Sequence, residues 1–348
     1  MFIMPSEHLP HAATWMAFGA DASIWSASSA EKVCRNQAAL ALEIAHFEPV
    51  NLLVTRKNKN AAQQLLGDTV TYIECPLDDI WLRDSGANFV YDTATKRPAA
   101  VSFNFNGWGK KQPVKRDAGV AAVMAEYTGL PLHISPLTLE GRAIEVNGSG
   151  TGIFTRSAIL NDNRNPGVSR QQTEQWLAHD LGLKTIIWLN GIRNHDITDA
   201  HIDFYARFVS EKSLVIAMEN NPQSFEYEVT RDHAASLHAV KQHTNLIDEV
   251  HILSNPLTTR VDRMKSPYFA AGYINYYPCN GGIIVPEFGD SAADEQAAQL
   301  LAALYPGRVV VQVNIDAIAS GGGGIHCVTM QQPDFTSFIT DGQTHDIS

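Results

Sequence analysis

Short apolar runs rich in β-branched residues recur along this chain. Between them lie longer stretches whose apolar positions return every three or four residues. The short runs, at 51–54, 100–105, 185–189, 213–218, 250–253 and 309–313, predict strands. The longer stretches, at 30–46, 117–127, 171–181, 227–244 and 292–305, predict helices. Strands that alternate with helices predict an α/β protein. No Pro- or Ser-rich linker and no shift in composition divides the sequence, so 1–348 is expected to form a single domain. No Gly-rich phosphate-binding turn follows the first strand. The polar segments instead fall on loops spread along the whole length. That suggests a site assembled at the centre of a repeated arrangement, although no repeat is visible as sequence identity.

The sharpest break in the pattern is Gly321-Gly322-Gly323-Gly324, followed by Ile325-His326-Cys327-Val328. Four glycines in a row permit backbone conformations and close approaches that no side-chain-bearing run allows. The segment reads as a tight, ligand-facing loop presenting the Cys327 thiol. Asp78, Asp79, Arg83 and Asp84 flank Ile80-Trp81-Leu82 just before Gly86, as a pocket wall or a solvated turn. Glu140 stands before Gly141, where a carboxylate taken alone caps a turn. If 200–204 is a strand, His201 and Asp203 share one face and form an acid–base pair or a pair of ligands, unless that face is a solvated edge. The polar cluster 161–167 reads as a surface turn, and the aromatic-rich run 268–277 as mostly core.

Composition narrows the chemistry. The chain has 348 residues, of which 45% are apolar, enough for a substantial core. A net charge of −11 argues against nucleic acid as a partner and permits a cationic small substrate. Four widely spaced cysteines with no C-x-x-C argue against a disulfide framework or a zinc ribbon and fit a reducing compartment. The N-terminal residues have no basic region and no long apolar run, and no run is long enough for a membrane span. The expected location is cytoplasmic, with no membrane partner. A thiol with a histidine suggests nucleophilic catalysis. Carboxylates beside a thiol raise its pKa, which makes sense if the substrate is itself a cation. Paired carboxylates hold a planar guanidinium bidentately, and the bound cation then favours the thiolate. That chemistry points to hydrolysis of a guanidine.

On these residues the chain resembles the agmatine deiminase and bacterial-type peptidylarginine deiminase family of guanidine-modifying enzymes. The similarity runs nearly end to end. It rests on Asp78-Asp79-Ile80-Trp81-Leu82-Arg83-Asp84, Phe105-Asn106-Gly107-Trp108-Gly109, Leu139-Glu140-Gly141, Asn163-Arg164-Asn165-Pro166, Thr198-Asp199-Ala200-His201-Ile202-Asp203 and the Gly-rich His326-Cys327 loop. The resemblance implies a five-bladed α/β propeller, the pentein fold, with pseudo-fivefold ββαβ repeats around a central active site. It implies a single catalytic domain in which Cys327 is the nucleophile and His201 the general acid/base. Asp84 and Asp203 would bind the guanidinium nitrogens, Glu140 would help fix the guanidinium and orient His201, and Trp81 and Gly324 would border the substrate. No metal or organic cofactor is implied. Family members often assemble as dimers or tetramers, which leaves a homo-oligomer open.

Three positions depart from the pattern. Arg142 stands where many members have a second glycine, Ile197 near where agmatine-type members carry an acid, and Glu7-His8 where Glu-Trp is usual. A cation at 142 and a lost acid at 197 would suit free arginine or another guanidino acid, with Arg142 meeting its carboxylate. Agmatine, converted to N-carbamoylputrescine and ammonia, is the default expectation. Asp199, His201 and Asp203 also match the ligand run of metal-dependent ureohydrolases, a rival that leaves the cysteine loop unexplained. A non-catalytic relative of the same fold would have no reason to keep Cys327, His201, Glu140, Asp84 and Asp203 together. A transamidinase or dimethylarginine hydrolase would share the nucleophile. Peptidylarginine as substrate usually goes with secretion.

Overall fold

A hairpin, a helix and a returning parallel strand make one unit, and this chain builds it five times. The computed structural model describes residues 1–19, 24–266 and 268–336. The plan is plainest where Ala206–Phe208 pairs antiparallel with Ser213–Met218, helix Glu226–His243 crosses over, and Glu249–Ser254 returns parallel. The same order recurs with Asn88–Asp92, Arg97–Ser102, helix Val120–Thr128 and Leu132–Ile134. It recurs again with Glu145–Val146, Thr151–Thr155, helix Arg170–Leu181 and Thr185–Leu189. A further unit uses Tyr277–Cys279, Gly282–Glu287, helix Ser291–Leu304 and Val309–Asn314.

The remaining sheet is assembled from both ends of the sequence. Thr329–Pro333 pairs antiparallel with His11–Phe18, helix Ala27–Ala45 crosses over, Val50–Val54 returns parallel, and Thr71–Glu74 extends the edge. The ring of five sheets is thereby closed by the last strand, as the expected five-bladed arrangement requires. The single-domain expectation ran over 1–348, of which 337–348 lie outside the described residues.

Several of the helices begin at a side-chain cap. Ser26 accepts from the Ser29 N–H at the start of Ala27–Ala45, which buries Val33, Leu40, Ala41 and Ile44. Ser169 caps Arg170–Leu181, and Gly182 ends it at φ +74°, a conformation that costs a glycine little. The predicted strand 100–105 ends at Ser102, and the predicted helix 117–127 begins with a 3-10 turn at Asp117–Gly119.

What positions the site is a short helical turn placed just before the first strand of each unit. These turns are Leu82–Ser85, Gly141–Ala143, Ile202–Phe204, Tyr273–Asn275 and His326–Val328. Neighbouring turns pack against one another around the centre. The segment 200–204 is therefore not a strand. Positive φ at Asp199 (64°) and Ala200 (67°) breaks any extended run, and the turn Ile202–Phe204 follows. Among the described residues no helix is long and apolar enough to cross a membrane.

Candidate active site

Cys327 sits in the 3-10 turn that enters the closing strand and is fully buried. The Gly324 N–H donates to its sulfur at 3.2 Å, and the sulfur lies 3.3 Å from Asn275 Oδ1 and 3.6 Å from Asp203 Oδ2. The glycine run before it is explained by close approach. A Cβ on Gly323 would lie 2.3 Å from the Trp81 ring, one on Gly324 2.4 Å from Asn275 Oδ1, and one on Gly321 1.9 Å from the Trp25 ring. Gly321, Gly323 and Gly324 thus let the loop lie flat against two indoles and an amide.

Asp203 reaches the same centre from its own turn. Its Oδ2 is held by His326 Nδ1 at 2.8 Å and by Asn275 Nδ2 at 2.9 Å. His326 Nε2 in turn contacts Glu7 Oε1 at 2.8 Å, and Glu7 pairs with Arg83 and Arg207. Burial pushes the Asp203 carboxyl up, but its hydrogen bond with His326 and the nearby charges outweigh this and hold its pKa at about 2. His201 Nε2 lies 3.0 Å from Glu140 Oε2, and His201 Nδ1 lies 3.8 Å from Asp84 Oδ1. Glu140 is fully buried and receives the Arg164 Nε at 2.9 Å on each oxygen. Burial alone would raise the Glu140 pKa; the charge of Arg164 and the contact with His201 lower it instead.

The cluster at 161–167 is thus not the surface turn that its polarity suggested. Arg164 is buried, and besides Glu140 it binds Asp199 Oδ2 at 2.8 Å and the Thr198 carbonyl at 3.0 Å. Asp199 also pairs with Lys111 at 2.7 Å. The ureohydrolase reading needs Asp199, His201 and Asp203 side by side on an extended strand. The positive-φ break instead turns Asp199 away to Arg164 and Lys111. Among the described residues, three metal-capable side chains gather only at His133, His179 and Asp180, on Leu132–Ile134 and Arg170–Leu181.

Asp84 and Arg142 hold the most unexpected geometry. Arg142 is 2% exposed, and its Nε and Nη2 meet the two Asp84 oxygens at 2.7 and 2.5 Å. Its guanidinium lies 5.4 Å from the centre of the Trp81 ring. Trp108 Nε1–H donates to Asp84 Oδ2 at 3.1 Å, from a buried left-handed conformation at φ +56°. The expectation that Arg142 would meet a substrate carboxylate is corrected here. Its charge is turned inward onto Asp84, because a buried guanidinium needs a buried anion. Ile197 is where it was expected, bordering the cavities, and Asp196 beside it borders the larger one.

Two cavities approach this centre. One, of about 1350 Å³, is bordered by Asp196, Ile197, His201, Glu226, Arg142 and the Gly321–Gly322 backbone among others. The other, of about 230 Å³, is bordered by Trp25, Asp79, Trp81, Trp108 and Arg142. Neither reaches Cys327, Asp84, Asp203, Glu140 or Gly324.

Burial pushes the Cys327 thiol up to about 12; Arg142 and the Gly324 N–H pull it down, while Asp203 and Asp84 push it further up. A further cation brought beside the sulfur would lower its pKa. Five groups with nucleophile, acid/base and cation-binding chemistry converge from four separate turns. Sequence reasoning brought these five together and missed His326, Asn275, Glu7 and Trp108. The Phe-Asn-Gly-Trp-Gly and His-Cys segments were the available signal for two of them.

Comparison with known proteins agrees with this arrangement. The sequence model of the Porphyromonas-type peptidyl-arginine deiminase family matches residues 3–333. A Legionella pneumophila (strain Philadelphia 1) protein provisionally named an agmatine deiminase is 34% identical over 334 residues, covering 95% of each chain. A Streptomyces coelicolor protein with the same provisional name is 35% identical over 340 residues, covering 95% of this chain and 99% of that one. The structure of the agmatine deiminase of Enterococcus faecalis superposes with a TM-score of 0.87 at 26% identity, over 95% of this chain and 96% of that one.

Proposed function

Since the chain belongs to the Porphyromonas-type peptidyl-arginine deiminase family, we propose that it is a guanidine deiminase acting on agmatine through a covalent intermediate on Cys327. The observation that carries this is the convergence of Cys327, His201, Glu140, Asp84 and Asp203 on one buried centre. In this reading Asp84 and Asp203 grip the guanidinium, and its charge favours the Cys327 thiolate. The thiolate attacks the central carbon and forms a C–S bond. His201, held by Glu140, gives a proton to one nitrogen, the C–N bond breaks and ammonia leaves. His201 then takes a proton from water, the hydroxide adds to the same carbon, and the C–S bond breaks. Guanidine plus water has become a ureido compound plus ammonia. Splitting one hard displacement into two easier steps is the benefit of the covalent route. The whole ring serves as one catalytic unit, and widely spaced cysteines with no C-x-x-C suit a reducing, cytoplasmic setting.

Agmatine is favoured over a guanidino acid by the wall of the large cavity. Asp196 and Glu226 both border it, and burial pushes the Glu226 carboxyl up to about 7. Lys111, Arg260 and Arg263 border it too but are paired with Asp199, Asp316 and Glu219, which leaves Asp196 and Glu226 to suit the far ammonium of agmatine. The test is to incubate the full chain, with EDTA present, with agmatine, arginine and 4-guanidinobutyrate separately, and to measure ammonia and ureido product. Release of ammonia from agmatine, lost in Cys327→Ser, is expected. Faster turnover of either acid would overturn the agmatine assignment, and loss of activity to EDTA would overturn the thiol mechanism.

A further inference from the structure

We propose that Arg142 is a built-in pseudosubstrate: its guanidinium occupies the place on Asp84 that a substrate guanidinium must take, and it has to leave before Cys327 can be reached. The inference rests on the guanidine reading above and concerns a residue of this chain that the reaction itself does not use.

The contact is of the kind a guanidine substrate would make. Arg142 lies fork-on against the carboxylate, Nε to Oδ1 at 2.7 Å and Nη2 to Oδ2 at 2.5 Å, with Trp81 flanking its plane at 5.4 Å. Trp108 Nε1 takes a further position on Oδ2 at 3.1 Å. Both Asp84 oxygens are therefore engaged. Two other polar atoms of the centre are not. Asp203 Oδ1 and His201 Nδ1 are buried and have no hydrogen-bond partner among the described residues. Buried polar atoms are nearly always paired, so these two mark the half of the guanidinium site that Arg142 leaves unfilled.

Arg142 also stands in the way. It borders both cavities, while Cys327, Asp84 and Asp203 border neither. It is itself only 2% exposed, so it stands between the cavities it borders and the buried centre that it pairs with through Asp84. Its charge moreover pulls the Cys327 thiol pKa down, a role the substrate's own guanidinium would inherit on replacing it. Exchange of one guanidinium for another keeps the charge of the buried centre constant. The displaced Arg142 then needs a new anion, and Asp196 and Glu226 face the cavity into which it would move.

The consequence is a lowered apparent affinity. A site that is competent only when Arg142 is out binds its ligand more weakly by the competent fraction. Removing the arginine lifts that penalty. The experiment measures binding without turnover: agmatine titrated calorimetrically into full-length Cys327→Ser, and into Cys327→Ser carrying Arg142→Gly, Arg142→Gln or Arg142→Lys. Each variant is first required to melt cooperatively. Arg142→Gln keeps most of the volume should the glycine variant fail to fold. The glycine and glutamine variants are expected to bind agmatine about tenfold or more tightly than the arginine form. The lysine variant is expected to fall between, since an ammonium lacks the fork. Free guanidinium ion should compete with agmatine better in the variants than in the parent. Equal or weaker binding in folded variants would overturn the gate and leave the deiminase reading intact. Tighter binding with no ammonia from Arg142→Gly carrying Cys327 would do the reverse.

Discussion

At the scale of single residues, the centre is held by buried charges in matched pairs, and the partner of a catalytic group matters as much as the group. Arg164 is the clearest case. It is the cation for both Glu140 and Asp199, with all three side chains out of solvent. Removing one partner of a buried pair leaves the other uncompensated. Arg164→Met is therefore expected to cost about 3–5 kcal/mol of stability by urea denaturation. A loss below about 1 kcal/mol would mean that Glu140 takes up a proton at little cost. Glu226 gives a pH signature. With its pKa pushed up to about 7, it is mostly neutral below that value and charged above it. Its attraction for an ammonium is present only in the charged form. The KM for agmatine should fall as pH rises through about 7, and Glu226→Gln should flatten that fall. An unchanged profile in the variant would place the titrating group elsewhere. Cys327, His201 and Asp203 could be singled out from residue type and neighbours, whereas Glu140 read alone as a turn carboxylate and entered the site only through the family resemblance. His326 and Asn275 could not, since nothing local in the chain says that one will grip Asp203 and the other the sulfur.

At the scale of elements, the candidate site is built from the short turns that precede each hairpin rather than from the strands or the long helices. The glycine loop shows what such a turn demands. Gly323 lies where a Cβ would fall 2.3 Å from the Trp81 ring, and that ring flanks Arg142 and the guanidinium place. Gly323→Ala must push the loop or the indole aside. A displacement of about 1 Å at a reacting centre can cost on the order of 10²-fold in rate. A drop of that size in kcat/KM for agmatine, with the thermal transition within a few degrees of the parent, is expected. Full activity in the alanine variant would show that the loop has room to spare. The long elements were legible: the strands 185–189 and 213–218 and the helix 171–181 follow directly from periodicity, with ends displaced by one residue at most. The turns were not, because three or four residues carry no period. Asp199 and Ala200 hide a left-handed break inside a stretch that alternates like a strand.

At the scale of the whole molecule, closure of the ring is what brings distant turns together. Thr329–Pro333 joins the sheet of His11–Phe18 immediately after the turn that carries Cys327. The nucleophile is thus anchored by the same strand that seals the fold. Met330 in that strand is 1% exposed, and Gln331 Oε1 receives Arg83 at 2.6 Å. Truncation after Val328 should remove the cooperative thermal transition, since it opens a sheet edge and uncovers the core together. A truncated chain that still melts cooperatively would mean that the other four units form a stable body unaided.

The sequence by itself determined the alternation of strand and helix, the chemistry of the nucleophile and its carboxylates, and the acidic character that suits a cationic substrate. These depend on local periodicity and on residue type, which a chain displays wherever it is read. Only the tertiary structure decided which charges pair. Arg142 could have met a substrate carboxylate or a buried aspartate, and a linear sequence holds both possibilities. The choice fell to Asp84 because the ring places Gly141–Ala143 against Leu82–Ser85 in a buried centre. There a guanidinium must take the nearest anion.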